Sequence, residues 1–224
     1  MNKEKSKAMW REVNYIIVMN GFTATGKSTI AKKLLQYLEN VDVYHSAIVR
    51  EELGLTPTKL AYEFDLKNPI FVKKVSPLVY GEMSRRAKQS LGRGRNVILD
   101  ASHSFFWQRN QIYNMALFLG VYIYILRCVC EDEEEIRRRL GIRKEKKRPL
   151  NEAPAWKTYI STVQYSEPVE EDRLPDGSKP KIIEYDTCEE TIKTFNIDKN
   201  DEMANKIIDC LKKQHRYLHL ALRN

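Results

Sequence analysis

The sequence predicts an α/β fold in which a parallel sheet is covered by helices on both faces. Short apolar runs of strand length alternate along the chain with longer segments of helical periodicity, which is typical of parallel strands joined by helical crossovers. No internal repeat interrupts this order. Because 224 residues can bury one large core, we expect a single domain over residues 1–224.

The first part of the chain begins the alternation. The apolar run at residues 15–19 predicts a strand, and residues 27–39 have the periodicity of a helix. Residues 41–45 predict the second strand. A short helix begins at Arg50 and is stopped at Gly54.

The middle of the chain adds a long helix, a strand and another helix. Apolar residues recur at helical spacing between residues 69 and 91, and Pro77 lies where it would kink that helix. Residues 96–101 are a short apolar strand that ends near a carboxylate. Residues 107–119 have a helical pattern, which Gly120 ends.

The last part of the chain completes five predicted strands. Residues 121–126 are rich in strand-forming types. Residues 131–140 predict a charged helix with acidic residues first and arginines last, as the helix dipole favours. A final strand at residues 181–185 and a closing helix at residues 202–222 follow. The polar, proline-containing stretches at residues 144–154 and 167–180 are predicted to be a lid segment and a surface loop.

The turn between the first strand and the first helix carries the pattern G-x-x-x-x-G-K-S. It starts at Gly21 and ends at Lys27 and Ser28, and a strand before with a helix after is the setting of a phosphate-binding P-loop. Its backbone N–H groups and the N-terminus of the following helix attract phosphate. Together with the alternating strands and helices, this loop predicts the three-layer P-loop NTPase fold. We expect Lys27 to reach the β- and γ-phosphates of ATP and Ser28 to hold Mg²⁺. The residues predicted to bind the nucleotide are Gly21, Thr23, Ala24, Thr25, Gly26, Lys27, Ser28 and Thr29, together with Asp186 and Thr187 after the last strand.

Polar residues also follow the second and third strands, at the sheet edge where open parallel sheets bind ligands. Asp100 is predicted to hold Mg²⁺ with Ser28 or to contact the acceptor hydroxyl, and the alternative is an aspartate that caps the next turn. His45 is a candidate general base because imidazole accepts a proton near neutral pH, and the alternative is a merely packed histidine. Ser46 beside it is predicted to contact the acceptor.

A run of arginines lies in the helix after the fourth strand. Arg139 and Arg143 are four residues apart and therefore share one helix face. We expect both to neutralise charge on the γ-phosphate, as parts of a lid spanning about residues 131–165. For Arg137 and Arg138 a solvated basic face is the expectation.

Charge and composition limit the class of protein. The net charge of +8 makes nucleic acid a candidate partner, although a nucleotide kinase also needs cations around its phosphates. No apolar run is long enough for a bilayer, and the N-terminus lacks the apolar stretch of a signal peptide, so we expect a cytoplasmic protein with no membrane partner. We expect reduced, packed thiols, because no C-x-x-C pair occurs among Cys128, Cys130, Cys188 and Cys210.

Together these pieces resemble the P-loop kinases of the polynucleotide-kinase and zeta-toxin-like group. Besides the P-loop, the resemblance rests on segments that occur in the same order, at residues 49–53, 94–102, 139–143, 166–168 and 183–187. It covers about residues 15–212 and implies a five-stranded sheet, a helical lid, ATP as donor and an acceptor bound between the second and third strand ends. The residues that would bind this acceptor are His45, Ser46, Arg50, Ser102 and Arg109.

One position departs from that group. Its members commonly have an aspartate three residues before the arginine that matches Arg50, and this aspartate looks like the general base for the acceptor hydroxyl. Here the residue is Ala47, so a base must be sought among His45, Glu51 and Asp100. The expected function is an ATP-dependent kinase acting on a hydroxyl of a small molecule or of a nucleic-acid 5′ end. The alternative is a nucleotide-binding switch that has lost catalysis.

Overall fold

The central feature of the computed structural model, which describes residues 14–62, 64–145 and 156–221, is a six-stranded sheet between two layers of helices. Within the sheet the strands lie in the order β2-β3-β1-β4-β5-β6. The first five strands are parallel, and β6 runs antiparallel to β5. The strands are β1 (Tyr15–Asn20), β2 (Val41–His45), β3 (Asn96–Asp100), β4 (Tyr122–Val129), β5 (Lys181–Asp186) and β6 (Ile192–Phe195).

Eight α-helices occur in the described part of the chain. They are α1 (Lys27–Leu34), α2 (Ser46–Glu52), α3 (Pro57–Leu60), α4 (Ser76–Gly92), α5 (Phe106–Leu119), α6 (Glu133–Glu145), α7 (Trp156–Tyr165) and α8 (Glu202–Ala221). A π-helical turn at Phe71–Val75 leads directly into α4. Each of these helices is too short or too polar to cross a membrane.

The strands are apolar because both faces of the sheet are covered. All six residues of β1 are buried, since β1 has β3 on one side and β4 on the other. One face of the sheet packs against a core that includes residues of α4 and α5, and the other face packs against α1 and α8. The carboxyl ends of the parallel strands therefore meet at one edge.

The five predicted parallel strands are confirmed, and their ends differ from the predicted ones by at most three residues. The strand β6 was not predicted, because three of its four residues are exposed and give no apolar pattern. Pro77 lies within a continuous helical segment, because Val75 and Ser76 before it have helical backbone angles. The regular α-helical pattern is interrupted just before Pro77 by the π-helical turn at Phe71–Val75.

The prediction of four reduced cysteines is wrong for one pair. Cys130 and Cys188 form a disulfide, whereas Cys128 and Cys210 are free and buried. The pair is 58 residues apart in sequence, but β4 and β5 are neighbours in register, so the residues that follow them come within 5.5 Å between Cα atoms. This proximity arises from the sheet pairing and has no local sequence signal.

Candidate functional site

The loop between β1 and α1 has the backbone geometry that its glycines permit. Gly21 has a φ of +132°, and a Cβ added there would lie 2.2 Å from the carbonyl oxygen of Cys128. Gly26 has a φ of +90° and caps the N-terminus of α1. Any other residue would be strained at both positions. The loop therefore brings its backbone close to β4 and opens the helix N-terminus to a ligand.

Lys27 lies over this loop at the entrance to a cavity of about 600 Å³. Its ammonium group donates a hydrogen bond of 2.5 Å to the carbonyl of Phe22. Residues of the loop line the cavity, namely Thr23, Ala24, Gly26, Lys27, Ser28 and Thr29. The side chain of Thr25 is buried instead and donates to Phe22, which holds the turn closed.

Asp100, at the end of β3, contacts both the loop and the second strand. It accepts a hydrogen bond from Ser28, and its Oδ2 atom lies 2.5 Å from Nδ1 of His45 at the end of β2. Burial raises the pKa of Asp100, but the bonds from His45 and Ser28, with the charge of Lys27, outweigh burial and lower it. The carboxylate is therefore ionised at neutral pH.

Ser28 and Asp100 fit the chemistry of a Mg²⁺ site. Both offer oxygen ligands, which Mg²⁺ prefers. The carboxylate oxygen Oδ2 of Asp100 lies 2.5 Å from Nδ1 of His45, and Ser28 donates a hydrogen bond to the same carboxylate. An ionised carboxylate beside a hydroxyl at a phosphate-binding loop is suited to a cation.

The helix α2 forms the next wall of the cavity. Ser46 and Ala47 line it at the first turn of α2, and Arg50 lines it one turn later. Glu51 is exposed and outside the cavity, so it is the least suitable of the three proposed bases. Arg50 is only 9% exposed, and its guanidinium lies 4.2 Å from the ring centre of Phe64.

No carboxylate pairs with Arg50 among the described residues, and its Nε atom has no hydrogen-bond partner there. Burial lowers the pKa of Arg50, while Tyr62 and Tyr80 oppose that shift. An arginine remains protonated in proteins. The cavity wall opposite the P-loop therefore holds a buried positive charge.

Arg139 of α6 lines the cavity, and its guanidinium is held by bonds to other parts of the protein. It pairs with Glu135 at 2.7 Å and donates to the carbonyl of Ala24 and the hydroxyl of Thr187. Arg138 pairs with Glu135 and is mostly exposed, as expected for a solvated position. Arg143 belongs to α6, but its side chain lies outside the described residues.

Thr187, in the segment after β5, contacts the P-loop. The hydroxyl of Thr187 lies 3.0 Å from the carbonyl oxygen of Thr25, and its side chain packs against Gly26. Asp186 does not line the cavity, contrary to the prediction, because its carboxylate caps the following turn by accepting N–H bonds from Cys188 and Glu189.

A sequence profile for a family described as an AAA domain matches residues 16–164. This match covers more than half of the chain. The protein belongs to this AAA-domain family. No curated protein sequence is similar enough to count as a relative.

Solved structures share the fold of this AAA-domain protein. Kti12 from Chaetomium thermophilum, in complex with ADP-AlF3, is 17% identical with a TM-score of 0.58 and covers 90% of this chain and 97% of its own. A putative kinase from Chloroflexus aurantiacus j-10-fl is 14% identical with a TM-score of 0.57 and covers 92% and 98%. A gluconokinase from Sinorhizobium meliloti 1021 is 11% identical with a TM-score of 0.53 and covers 93% and 97%. The predicted P-loop NTPase fold is thereby confirmed, in agreement with the resemblance to P-loop kinases.

Arg109 of the AAA-domain protein, predicted to bind the acceptor, does not line the cavity. It is fully buried and makes two hydrogen bonds of 2.6 and 2.7 Å to Asp172. A third bond reaches the carbonyl of His103, and the hydroxyl of Tyr113 donates to Asp172. A charge this deeply buried needs a paired partner, and the pair is internal.

Sequence reasoning missed Tyr80, which lines the cavity from α4. It lies on the apolar face of a helix, where a tyrosine cannot be told from an ordinary core residue. Ser102 lines the cavity as predicted, and Ser104 does so too. One part of the wall is apolar and consists of Phe64, Leu66, Phe71, Val75 and Val79. Charged residues also line the cavity, namely Lys32, Lys33, Glu135, Arg138 and Glu190.

Proposed function

We propose that the protein is an ATP-dependent kinase that transfers the γ-phosphate to a hydroxyl group of an acceptor bound between the ends of β2 and β3. The observation that carries this proposal is that Lys27, the Asp100–His45 pair and Arg50 line one cavity. A phosphoryl transfer needs positive charge on the moving group and an oriented acceptor oxygen. These residues supply both requirements.

The Asp100–His45 pair offers a base in place of the missing one at Ala47. Because Nδ1 of His45 faces the carboxylate, a neutral imidazole keeps its proton there and leaves Nε2 free to accept another. The acceptor oxygen forms a bond to the γ-phosphorus while the bond to the bridging oxygen of the β-phosphate breaks. The acceptor proton passes to His45, and ADP leaves.

The nucleotide would be held by the P-loop backbone and Lys27. On phosphate binding, Lys27 exchanges the Phe22 carbonyl for phosphate oxygens. Bound between Ser28 and Asp100, Mg²⁺ would neutralise charge on the β- and γ-phosphates. The solved Kti12 holds ADP-AlF3 in the same fold, which supports nucleotide binding at this loop.

An acceptor screen tests the transfer. Purified protein with ATP and Mg²⁺ is offered nucleosides, sugars, sugar acids and 5′-hydroxyl oligonucleotides, and ADP release is measured. We expect at least one class to increase the release above the rate without acceptor. Lys27→Ala should abolish this increase, whereas Lys206→Ala, on the exposed side of α8, should leave it unchanged.

A nucleotide-dependent switch without transfer is the second candidate, and Ala47 favours it because alanine cannot take a proton. It predicts ATP binding in calorimetry with no acceptor-dependent release in the whole screen. That combination of results would replace the kinase proposal.

A further inference from the structure

One oxygen atom in the site contacts three separate parts of the fold. It is Oγ1 of Thr187, in the segment after β5, and it lies 3.0 Å from the carbonyl oxygen of Thr25 in the P-loop. It also lies 3.1 Å from the carbonyl oxygen of Val129, at the end of β4, and accepts a hydrogen bond of 2.9 Å from Nη1 of Arg139 in α6. The P-loop, the sheet and the helix that carries the arginines therefore meet at this hydroxyl group.

The hydrogen bonds of Thr187 have a fixed direction. A threonine hydroxyl has one proton to donate, whereas an arginine has donors only. The bond from Arg139 therefore uses a lone pair of the hydroxyl, and the proton goes to a backbone carbonyl. The Thr25 carbonyl is the nearer acceptor, and the Val129 carbonyl already accepts the backbone N–H of Thr187 at 2.9 Å. Thr187 thus links the guanidinium of Arg139 to the P-loop backbone.

The edge of the Arg139 guanidinium is occupied by the protein. Its Nε atom donates to Glu135 at 2.7 Å, and Nη1 donates to the Thr187 hydroxyl and, at 3.2 Å, to the carbonyl of Ala24. Nη2 donates to the carbonyl of Thr187 at 3.2 Å and lies 3.6 Å from Sγ of Cys188. A guanidinium has five N–H donors, and these five contacts use all of them. In this arrangement Arg139 has no donor left for a phosphate oxygen.

The flat face of the guanidinium is what Arg139 presents to the cavity. The residue lines the cavity, and its side chain is 20% exposed. A guanidinium is planar and stacks on flat aromatic groups. Within a nucleotide the base is such a group, whereas the phosphates are not. Held by its edge, Arg139 is therefore suited to the nucleoside part of a nucleotide, while Lys27 serves the phosphates.

The methyl group of Thr187 keeps its hydroxyl turned towards Arg139. A Cβ added to Gly26 would lie 3.1 Å from Cγ2 of Thr187, so the methyl group fills the space beside this glycine. A β-branched side chain has a stiff χ1 angle, and the packed methyl group therefore fixes the direction of the hydroxyl. Outside α6, the bond to this hydroxyl is the shortest that the described part of the chain offers Arg139.

We propose that Thr187 is a positioning residue, which holds Arg139 by its edge so that the face of the guanidinium meets the nucleoside of the bound nucleotide. This inference rests on the proposed function and gives Thr187 a role that it exerts through another residue. It differs from the γ-phosphate contact that the spacing of the arginines predicts for Arg139. The two roles lead to different results with a ligand that lacks a nucleoside.

The first experiment compares a non-hydrolysable ATP analogue with inorganic tripolyphosphate, which has the phosphates but no nucleoside. Both are titrated with Mg²⁺ into wild type and Thr187→Val, which keeps the shape of the side chain and removes the hydroxyl. We expect the Kd of the ATP analogue to rise about tenfold, as for a lost hydrogen bond to a charged group, and the Kd of tripolyphosphate to stay constant. Thr194→Val, on the exposed strand β6, is the matched control and should change neither.

The two ligands also separate this inference from the kinase proposal. Equal weakening of both ligands in Thr187→Val would mean that Arg139 contacts the phosphates, and no weakening of either would remove the positioning role. Both results would overturn the inference and leave the kinase proposal intact. A wild type that binds neither ligand would overturn the kinase proposal, and this inference with it.

A double-mutant cycle tests whether Thr187 acts through Arg139. Residues in contact that act as one unit have non-additive effects. We therefore expect Thr187→Val to weaken binding of the ATP analogue in the wild-type background but not in Arg139→Gln. Additive effects would refute the inference even if Thr187→Val weakens binding by itself.

Circular dichroism checks the fold of each variant. If Thr187→Val does not fold, Thr187→Ser, which keeps the hydroxyl, is compared with Thr187→Ala. We expect Thr187→Ser to keep the Kd of the wild type for the ATP analogue and Thr187→Ala to raise it. Equal Kd values for these two variants would refute the role of the hydroxyl.

Discussion

At the residue scale, the proposed transfer depends on the contact between His45 and Asp100. The ionised carboxylate lies 2.5 Å from Nδ1 of His45 and thereby orients the imidazole. The same carboxylate accepts a hydrogen bond from Ser28. In the proposed reaction, one buried aspartate would therefore serve both the metal and the acceptor.

Replacing the proposed base gives the first prediction. His45→Gln should lower kcat about 100-fold, because general base catalysis contributes a factor of this order, while the KM of ATP stays the same. The matched control is Glu51→Gln, which changes an exposed carboxylate outside the cavity and should have no effect. Steady-state kinetics at saturating ATP measure both. If His45→Gln kept the kcat of the wild type, a group other than His45 would have to accept the proton of the acceptor hydroxyl.

The buried histidine His103 predicts how stability depends on pH. Burial lowers the pKa of His103 to about 4, whereas a histidine in an unfolded chain titrates near 6.5. Between these values the unfolded state binds a proton that the folded state does not. Stability therefore falls as the pH is lowered through this window, by about 3 kcal/mol in total.

The variant His103→Asn tests this link. Asparagine tolerates the left-handed backbone of this position, which has a φ of 45°, so the turn is kept. We expect the variant to be less stable at pH 7.5, because the bond to the Met19 carbonyl is lost, but to show a flatter stability curve between pH 4 and 6.5. Urea unfolding across this range measures it. If the free energy of unfolding depended on pH in the same way in wild type and in His103→Asn, the buried neutral His103 would not be the cause of the pH dependence.

At the scale of elements, the disulfide joins the ends of β4 and β5 beside the nucleotide loop. Cys188 follows Thr187, whose hydroxyl contacts the P-loop, and Cys130 packs with residues of α6 and α7. The bond therefore joins the segment after β5 to the residue that packs against α6 and α7.

Removing this bond should affect both stability and nucleotide binding. A closed loop of 58 residues lowers the entropy of the unfolded chain, so Cys130→Ser with Cys188→Ser should cost about 2 to 4 kcal/mol. We also expect weaker ATP binding, since Thr187 is no longer anchored on its C-terminal side. Chemical denaturation and calorimetry measure the two effects. Cys210→Ser, a buried free thiol of α8, is the control for binding.

The Arg109–Asp172 pair ties α5 to the segment before β5, and its loss is the next prediction. Asp172→Ala leaves a buried guanidinium and the Tyr113 hydroxyl without their acceptor. Such a change costs about 3 to 5 kcal/mol. We expect a lower melting temperature and unchanged KM values at a temperature where the variant is folded. If Asp172→Ala raised the KM of the acceptor and kept the wild-type stability, Arg109 would contribute to acceptor binding.

At the scale of the whole molecule, the sequence predicted the parts of the fold that depend on local pattern. The parallel strands and the P-loop have strong signals, because burial on both faces makes β1 uniformly apolar and the turn of Gly21 and Gly26 requires glycine. The position of Asp100 in the cavity was predictable too, since strand ends meet at one edge in this class of sheet.

Apart from the exposed strand β6, the features that sequence reasoning missed depend on contacts between distant segments. Cys130 meets Cys188 only through the pairing of β4 with β5, and Arg109 meets Asp172 across 63 residues. The place of Tyr80 in the cavity wall depends on where α4 crosses the end of β3. A single sequence gives no measure of such distances, so a buried pair or a cavity wall is known only after the chain is folded.

The disulfide between neighbouring strand ends has one more consequence for the molecule. It makes the stretch from Cys130 to Cys188 a covalent ring that contains α6 and α7. A single backbone cut anywhere inside this ring leaves the two pieces joined by sulfur, so the nicked molecule migrates at full mass in a denaturing gel and separates only after a reductant is added.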